Sequence, residues 1–173
     1  MHAPAHPMVQ PLKQRSLTDF ATMSGPDTGA LLAFARELQN ASHAGMNGRA
    51  LRGKNLALLC DMVDTDGAGL FQRAAAGLGA QVAHLRPSLS SLSTPQAVQD
   101  TARVLGRLYD AVDCVGMPPD LVRQIGAAAG VPVFEAISSS RHPTARLADQ
   151  LSGAASDDNR CSVIQAVLLS ALV

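Results

Sequence analysis

Apolar positions fall in two kinds of block along this chain, and the blocks predict its elements. A short continuous apolar run stands at 55–60 (Asn-Leu-Ala-Leu-Leu-Cys) and suits a strand covered on both faces, and further strands are expected at 81–85 (Gln-Val-Ala-His-Leu), 111–115 (Ala-Val-Asp-Cys-Val) and 131–134 (Val-Pro-Val-Phe). Between them, apolar residues recur at helical spacing. Leu31, Leu32, Phe34, Ala35 and Leu38 follow Pro26-Asp27, and Leu70, Phe71, Ala74, Ala75 and Leu78 end at Gly79. Thr94-Pro95 supplies an N-cap and first turn for a helix reaching Leu108, while Pro118-Pro119-Asp120 and His142-Pro143 open two more. Strands alternating with helices imply parallel pairing through right-handed crossovers. The expected fold is therefore α/β, a small parallel sheet of about four strands flanked by helices.

The ends read differently from this middle. Residues 1–15 carry Pro4, Pro7 and Pro11 and no apolar core of a secretory signal, so a flexible N-terminal arm is expected. Ser16-Leu17-Thr18-Asp19 can cap a short turn, and the α/β domain is expected over 16–151. Ser152-Gly153-Ala154-Ala155-Ser156 reads as a short linker. In 157–173, Asp157, Asp158 and Asn159 offer caps to a final helix. That helix is too apolar to stand alone in water, so it must pack on the domain or on a partner.

Composition narrows the function classes. Fourteen basic residues balance fourteen acidic ones in 173 residues, which argues against a nucleic-acid binder. Aromatic residues make up only 3%, so base- or sugar-stacking platforms are not expected. Cys60, Cys114 and Cys161 are odd in number and far apart, which suits reduced thiols in a cytoplasm. There is no C-x-x-C pair to suggest zinc, and no apolar run near the ~20 residues a bilayer span needs. No cofactor, metal or membrane partner is expected, and the expected compartment is cytoplasmic.

Several landmarks occur together in order. They are Ser16-Leu17-Thr18-Asp19-Phe20, Leu51-Arg52-Gly53-Lys54, Asp100-Thr101-Ala102-Arg103-Val104-Leu105 with Tyr109-Asp110-Ala111-Val112, Val131-Pro132-Val133, and His142-Pro143-Thr144 with Leu147-Ala148-Asp149. In this set the chain resembles the aspartate and ornithine carbamoyltransferases over residues 16–151, the extent of their carbamoyl-phosphate domain. Asn159-Arg160 with Gln165-Ala166-Val167-Leu168-Leu169 is similar to the helix that closes the family's chains. The resemblance implies a chain whose acceptor-binding second domain has been excised, with the ends rejoined through 152–156.

Carbamoyl transfer needs helix N-terminal amides and guanidinium groups around a dianionic phosphate. The resemblance assigns this role to a Ser-Thr-Arg-Thr-Arg loop after the first strand. Here that stretch is Asp64-Thr65-Asp66-Gly67-Ala68, so Asp66 and Ala68 stand where the two arginines are expected. Carboxylates in place of guanidiniums replace attraction by repulsion, worth several kcal/mol at short range and intermediate dielectric. By the same resemblance, a basic residue supplied from a neighbouring subunit falls near Thr94 and the arginine ending the third strand falls at Val115 or Gly116. The glutamine of the His-Pro-x-Gln motif is Ala145, although His142 and Thr144 remain. Asp64, Thr65, Asp66, Gly67 and Ala68 are thus a degenerate phosphate loop, and His142, Thr144 and Thr94 a residual pocket. No residue is assigned a catalytic role.

Simpler readings cover other features. Asp64-Thr65-Asp66-Gly67 lacks the further ligands of a calcium loop and reads as a solvated turn, with Asp64 or Thr65 available to cap the next helix. Gly67-Ala68-Gly69 lacks the full dinucleotide pattern. The serines of 88–93 form a loop that, by resemblance, reaches a neighbouring subunit. The expected function is that of a carbamoyltransferase-like protein without donor binding or catalysis, acting by assembly or regulation. Its expected partners are further copies, as a homotrimer by resemblance, or a full-length carbamoyltransferase. Two alternatives stand beside it: a small-molecule binding module with an acidic pocket, and half an enzyme completed by a second chain.

Overall fold

The computed structural model describes residues 18–46, 48–60, 67–86 and 88–173. A 3-10 turn at Phe20–Thr22 precedes helix α1 at Gly25–His43. Strands β1 (Asn55–Cys60), β2 (Gln81–Leu85), β3 (Ala111–Val115) and β4 (Val133–Glu135) alternate with helices α2 (Ala68–Gly77), α3 (Pro95–Leu108), α4 (Pro119–Ala129) and α5 (Pro143–Ala148). Helix α6 (Ser156–Leu172) closes the chain. The strands pair in parallel in the order β2-β1-β3-β4. This is the expected four-stranded α/β architecture.

Alternation along the strands divides the core into two layers. Leu56, Leu58 and Cys60 of β1 join the layer built with α1, α2, α5 and α6, whereas Ala57 and Leu59 join the layer built with α3 and α4. A strand buried on both faces has no polar side to show, which is why β1 reads as an unbroken apolar run. Small residues set the helix spacing. At Gly106 a Cβ would stand 1.8 Å from the carbonyl oxygen of Ala129, so α3 and α4 approach to a distance only glycine permits.

Local chemistry explains the boundaries. The Ser24 hydroxyl accepts the Asp27 amide at 3.3 Å and donates to the Asp27 carboxylate at 2.7 Å, a reciprocal cap that starts α1. Asp110 fixes the lower ends of β1 and β3 together, accepting the Asn55 amide at 2.9 Å and pairing with Lys54 at 3.0 Å. The backbone bond from Asn55 and the Lys54 ammonium hold its carboxyl below the usual value, against a smaller opposing effect of burial.

Two boundaries differ from expectation. The fourth strand begins at Val133 rather than 131 and extends through Glu135; Pro132 has no amide to donate, although its carbonyl still accepts the Val112 amide at 2.9 Å. The last helix begins at Ser156 behind Ala155, which gives no side-chain cap. Asp157 and Asp158 lie in its first turn, where negative charge favours the helix dipole. Asn159 faces inward and bonds Gln39 at 2.7 Å and the Leu151 carbonyl at 3.2 Å. The arm expected over 1–15, with Ser16 and Leu17, lies outside the described residues.

Candidate functional site

The order β2-β1-β3-β4 contains one reversal. The chain steps from β1 outward to β2, then returns to the far side of β1 for β3 and β4. Connections diverge at such a point, and the C-terminal ends of β1 and β3 flank it, the usual ligand position in an open parallel sheet. Cys60 and Val115 end these strands opposite one another. The segment leading from β1 to α2 includes Asp64, Thr65 and Asp66 by sequence; these three lie outside the described residues.

The following two positions are described. Gly67 is the N-cap of α2 and makes no side-chain cap bond. A Cβ there would meet Ser138 Oγ at 2.6 Å and the Ser138 carbonyl oxygen at 2.8 Å. Only glycine lets this connection lie directly on the turn between β4 and α5. Ala68 is 2% exposed within the apolar core, where a methyl group fits and a guanidinium would need its own buried partners.

The turn between β4 and α5 forms the other wall. His142 is the N-cap of α5: its Nδ1 accepts the Thr144 amide at 3.2 Å and lies 2.9 Å from the Thr144 hydroxyl. That hydroxyl donates to the Ile137 carbonyl at 2.5 Å. The Phe20 ring meets the imidazole edge-on at 4.6 Å. Burial lowers the His142 pKa to about 4, so the ring is neutral at pH 7. With Nδ1 accepting, the ring proton resides on Nε2, a single neutral donor.

Three residues at this wall were not selected from the sequence. Ser138 is 1% exposed and its hydroxyl has no partner among the described residues. Arg160, from the first turns of α6, donates to the Ser138 carbonyl at 2.7 Å with its side chain mostly buried. Asp113 is fully buried on β3, and its Oδ1 accepts the Ile137 amide at 3.2 Å while Oδ2 has no partner among the described residues. Burial raises the Asp113 pKa to about 7, against the backbone bonds from Ile137, Ala136 and Cys114. A carboxylate in the middle of an apolar strand is visible in the sequence, but its partner Ile137 is not. Arg160 is visible there too, as part of Asn159-Arg160.

Thr94 stands elsewhere. It is the exposed N-cap of α3, accepting the Ala97 amide at 3.2 Å, in the connection after β2. Strands β2 and β4 are opposite edges of the sheet, about 14 Å apart at ~4.8 Å per strand. One chain therefore brings Gly67, Ser138, His142 and Thr144 together, with Thr94 on the far side of the sheet, the position expected by resemblance to serve a neighbouring subunit. An open groove of about 1270 Å³ along the starts of the strands, lined by Lys54, Tyr109, Asp110 and Pro132, contains none of the expected site residues. Among the described residues no His, Cys, Asp or Glu cluster is placed to hold a metal, and no helix is long and apolar enough to cross a membrane.

Comparison with known proteins agrees with this geometry. The model of the aspartate/ornithine carbamoyltransferase carbamoyl-P binding domain matches residues 15–153. An ornithine carbamoyltransferase of Actinobacillus pleuropneumoniae serotype 5b is 37% identical over 140 residues, covering 81% of this chain and 42% of the relative. The catabolic ornithine carbamoyltransferase of Haemophilus influenzae is 36% identical over the same share. The ornithine carbamoyltransferase structure from Thermus thermophilus superposes with a TM-score of 0.63 at 28% identity, over 77% of this chain and 45% of that one. The Pyrococcus furiosus enzyme gives 0.60 at 29%, over 72% and 40%. The chain spans less than half the length of these relatives.

Proposed function

Since the chain belongs to the aspartate/ornithine carbamoyltransferase family through its carbamoyl-P binding domain, we propose that it is a member without donor binding or catalysis that acts by assembly or regulation. One observation carries this reading. The stretch after β1 reads Asp64-Thr65-Asp66-Gly67-Ala68, with carboxylates and a methyl group where a phosphate dianion requires cations. Neighbouring positions support it: Val115 ends β3 with an apolar side chain, and Ala145 follows Thr144 in place of an amide. His142 adds one neutral donor, enough to polarise a carbonyl but too little to anchor a dianion.

Assembly then becomes the natural use of the retained fold, either with further copies or with a full-length carbamoyltransferase. Isothermal titration of the purified chain with carbamoyl phosphate is expected to show no saturable heat up to millimolar ligand. Micromolar binding would overturn the proposal.

A further inference from the structure

We infer that Asp113 is a positioning residue for the turn between β4 and α5: its buried carboxylate accepts the Ile137 amide beside the left-handed Ala136, and so sets the wall that carries Ser138, His142 and Thr144. Three observations converge on it. Asp113 lies on β3 opposite Phe134 of the short strand β4, so its side chain reaches the backbone that leaves β4. Ala136 has φ +51, the one non-glycine positive φ among the described residues. For an alanine this conformation is unfavourable, and it persists where the surroundings over-determine it. Successive amides around a left-handed residue form a concavity that suits an anion, and here the anion is the chain's own carboxylate.

The hold is transmitted by a continuous series of bonds. Asp113 Oδ1 accepts the Ile137 amide, the Ile137 carbonyl accepts the Thr144 hydroxyl, and the Thr144 amide donates to His142 Nδ1. Ile137 is thus gripped at both ends of its backbone. The Ser139 amide closes the turn on the Ala136 carbonyl at 2.9 Å, and the His142 amide donates to the Ser139 carbonyl at 3.1 Å. Arg160 holds the Ser138 carbonyl from the α6 side. Removing the carboxylate leaves the strain at Ala136 without its opposing bonds.

The ionisable and charged groups around Asp113 are Cys114 on its own strand, Glu135 on β4, Cys60 on β1, His142 at α5 and, through Ser138, Arg160 on α6. Burial holds the Cys114 thiol up at about 12 and His142 down at about 4, whereas Asp113 ionises near 7.

Nuclear magnetic resonance of the full chain tests the inference. The Ile137 amide proton is expected to move downfield with a midpoint near pH 7 as the carboxylate forms, because a charged acceptor strengthens the bond. In Asp113→Asn this titration is expected to vanish. In Asp113→Ala, exchange of the Ile137 and Thr144 amides is expected to rise at least tenfold, with β1 amides unchanged. Adding Ala136→Gly to Asp113→Ala is expected to slow that exchange again, since glycine adopts the positive φ freely. An Ile137 titration that survives in Asp113→Asn would overturn the assignment. So would equal acceleration at β1 and Ile137, which marks a general loss of stability. Should Asp113→Ala not fold, the Asp113→Asn titration decides alone.

Discussion

At the scale of single residues, burial decides which groups are charged. His142 and Asp113 face the same turn, and desolvation pushes both toward their neutral forms, the histidine down to about 4 and the carboxyl up to about 7. For Asp113 this has a defined consequence for stability. The unfolded chain loses the carboxyl proton near pH 4, but the folded chain keeps it until about 7. In that window the folded state binds the extra proton, so the free energy of unfolding falls as pH rises. Between pH 5.5 and pH 8 the decrease attributable to Asp113 is about 2 kcal/mol, from about 1.5 pH units at about 1.4 kcal/mol each. Urea denaturation at the two pH values should show it as the difference between the native sequence and Asp113→Asn, because His142, kept neutral by burial, adds the same opposing rise to both. Equal pH slopes in the two proteins would refute the assignment. Glycine acts at the same scale by subtraction. Side-chain atoms at Gly67 would collide with Ser138, and their absence allows the walls of the candidate site to meet.

At the scale of elements, periodicity made most of the fold legible. The strands at 81–85 and 111–115 and the Thr94-Pro95 helix start are local properties of four to six residues, and the structure has them as read. What was not legible depended on partners distant in sequence. Asn159 reads as a cap because nothing nearby shows that Gln39, 120 positions earlier, takes its side chain in the core. Likewise, Asp113 becomes meaningful only when Ile137, 24 positions later, arrives above it. Thr94 and His142 share a motif context but emerge from opposite sheet edges, which strand order alone reveals. Helix α6 illustrates how such contacts set register. It has almost no polar face, so apolar burial alone would allow it to slide or rotate. Asn159 to Gln39 and Leu151, with Gln165 donating to the Ala74 carbonyl at 3.1 Å, fix one position. Asn159→Ala leaves the Gln39 amide buried without its acceptor, and a loss of about 2 kcal/mol is expected in equilibrium unfolding. A change under 0.5 kcal/mol would show that the network does not fix the helix.

At the scale of the whole molecule, the same fold offers two surfaces with different prospects. The face covered by α1, α2, α5 and α6 is closed by α6, whose Val163, Ile164, Val167 and Leu168 are buried in the core. The side near the β2 edge is more open. Val104 and Leu108, one turn apart on α3, are 53% and 61% exposed, and Leu92 in the preceding loop is 93% exposed. These residues lie outside the packed stripe of α3, whose buried members are Val98, Ala102 and Leu105. Exposed apolar side chains that cluster on a helix are a common mark of association. If the proposed assembly uses this side, it gives a definite expectation. Sedimentation equilibrium at tens of micromolar protein should report a mass near three times 17.9 kDa. The double substitution Val104→Glu and Leu108→Glu places two carboxylates on the patch without disturbing buried positions. It should shift the mass to that of one chain while the circular dichroism spectrum and unfolding midpoint stay within error. A native chain that sediments as a monomer at these concentrations would remove assembly with itself from the proposal and leave a different carbamoyltransferase chain as the partner to test. A trimer unaffected by both glutamates would instead keep assembly and move its interface away from α3.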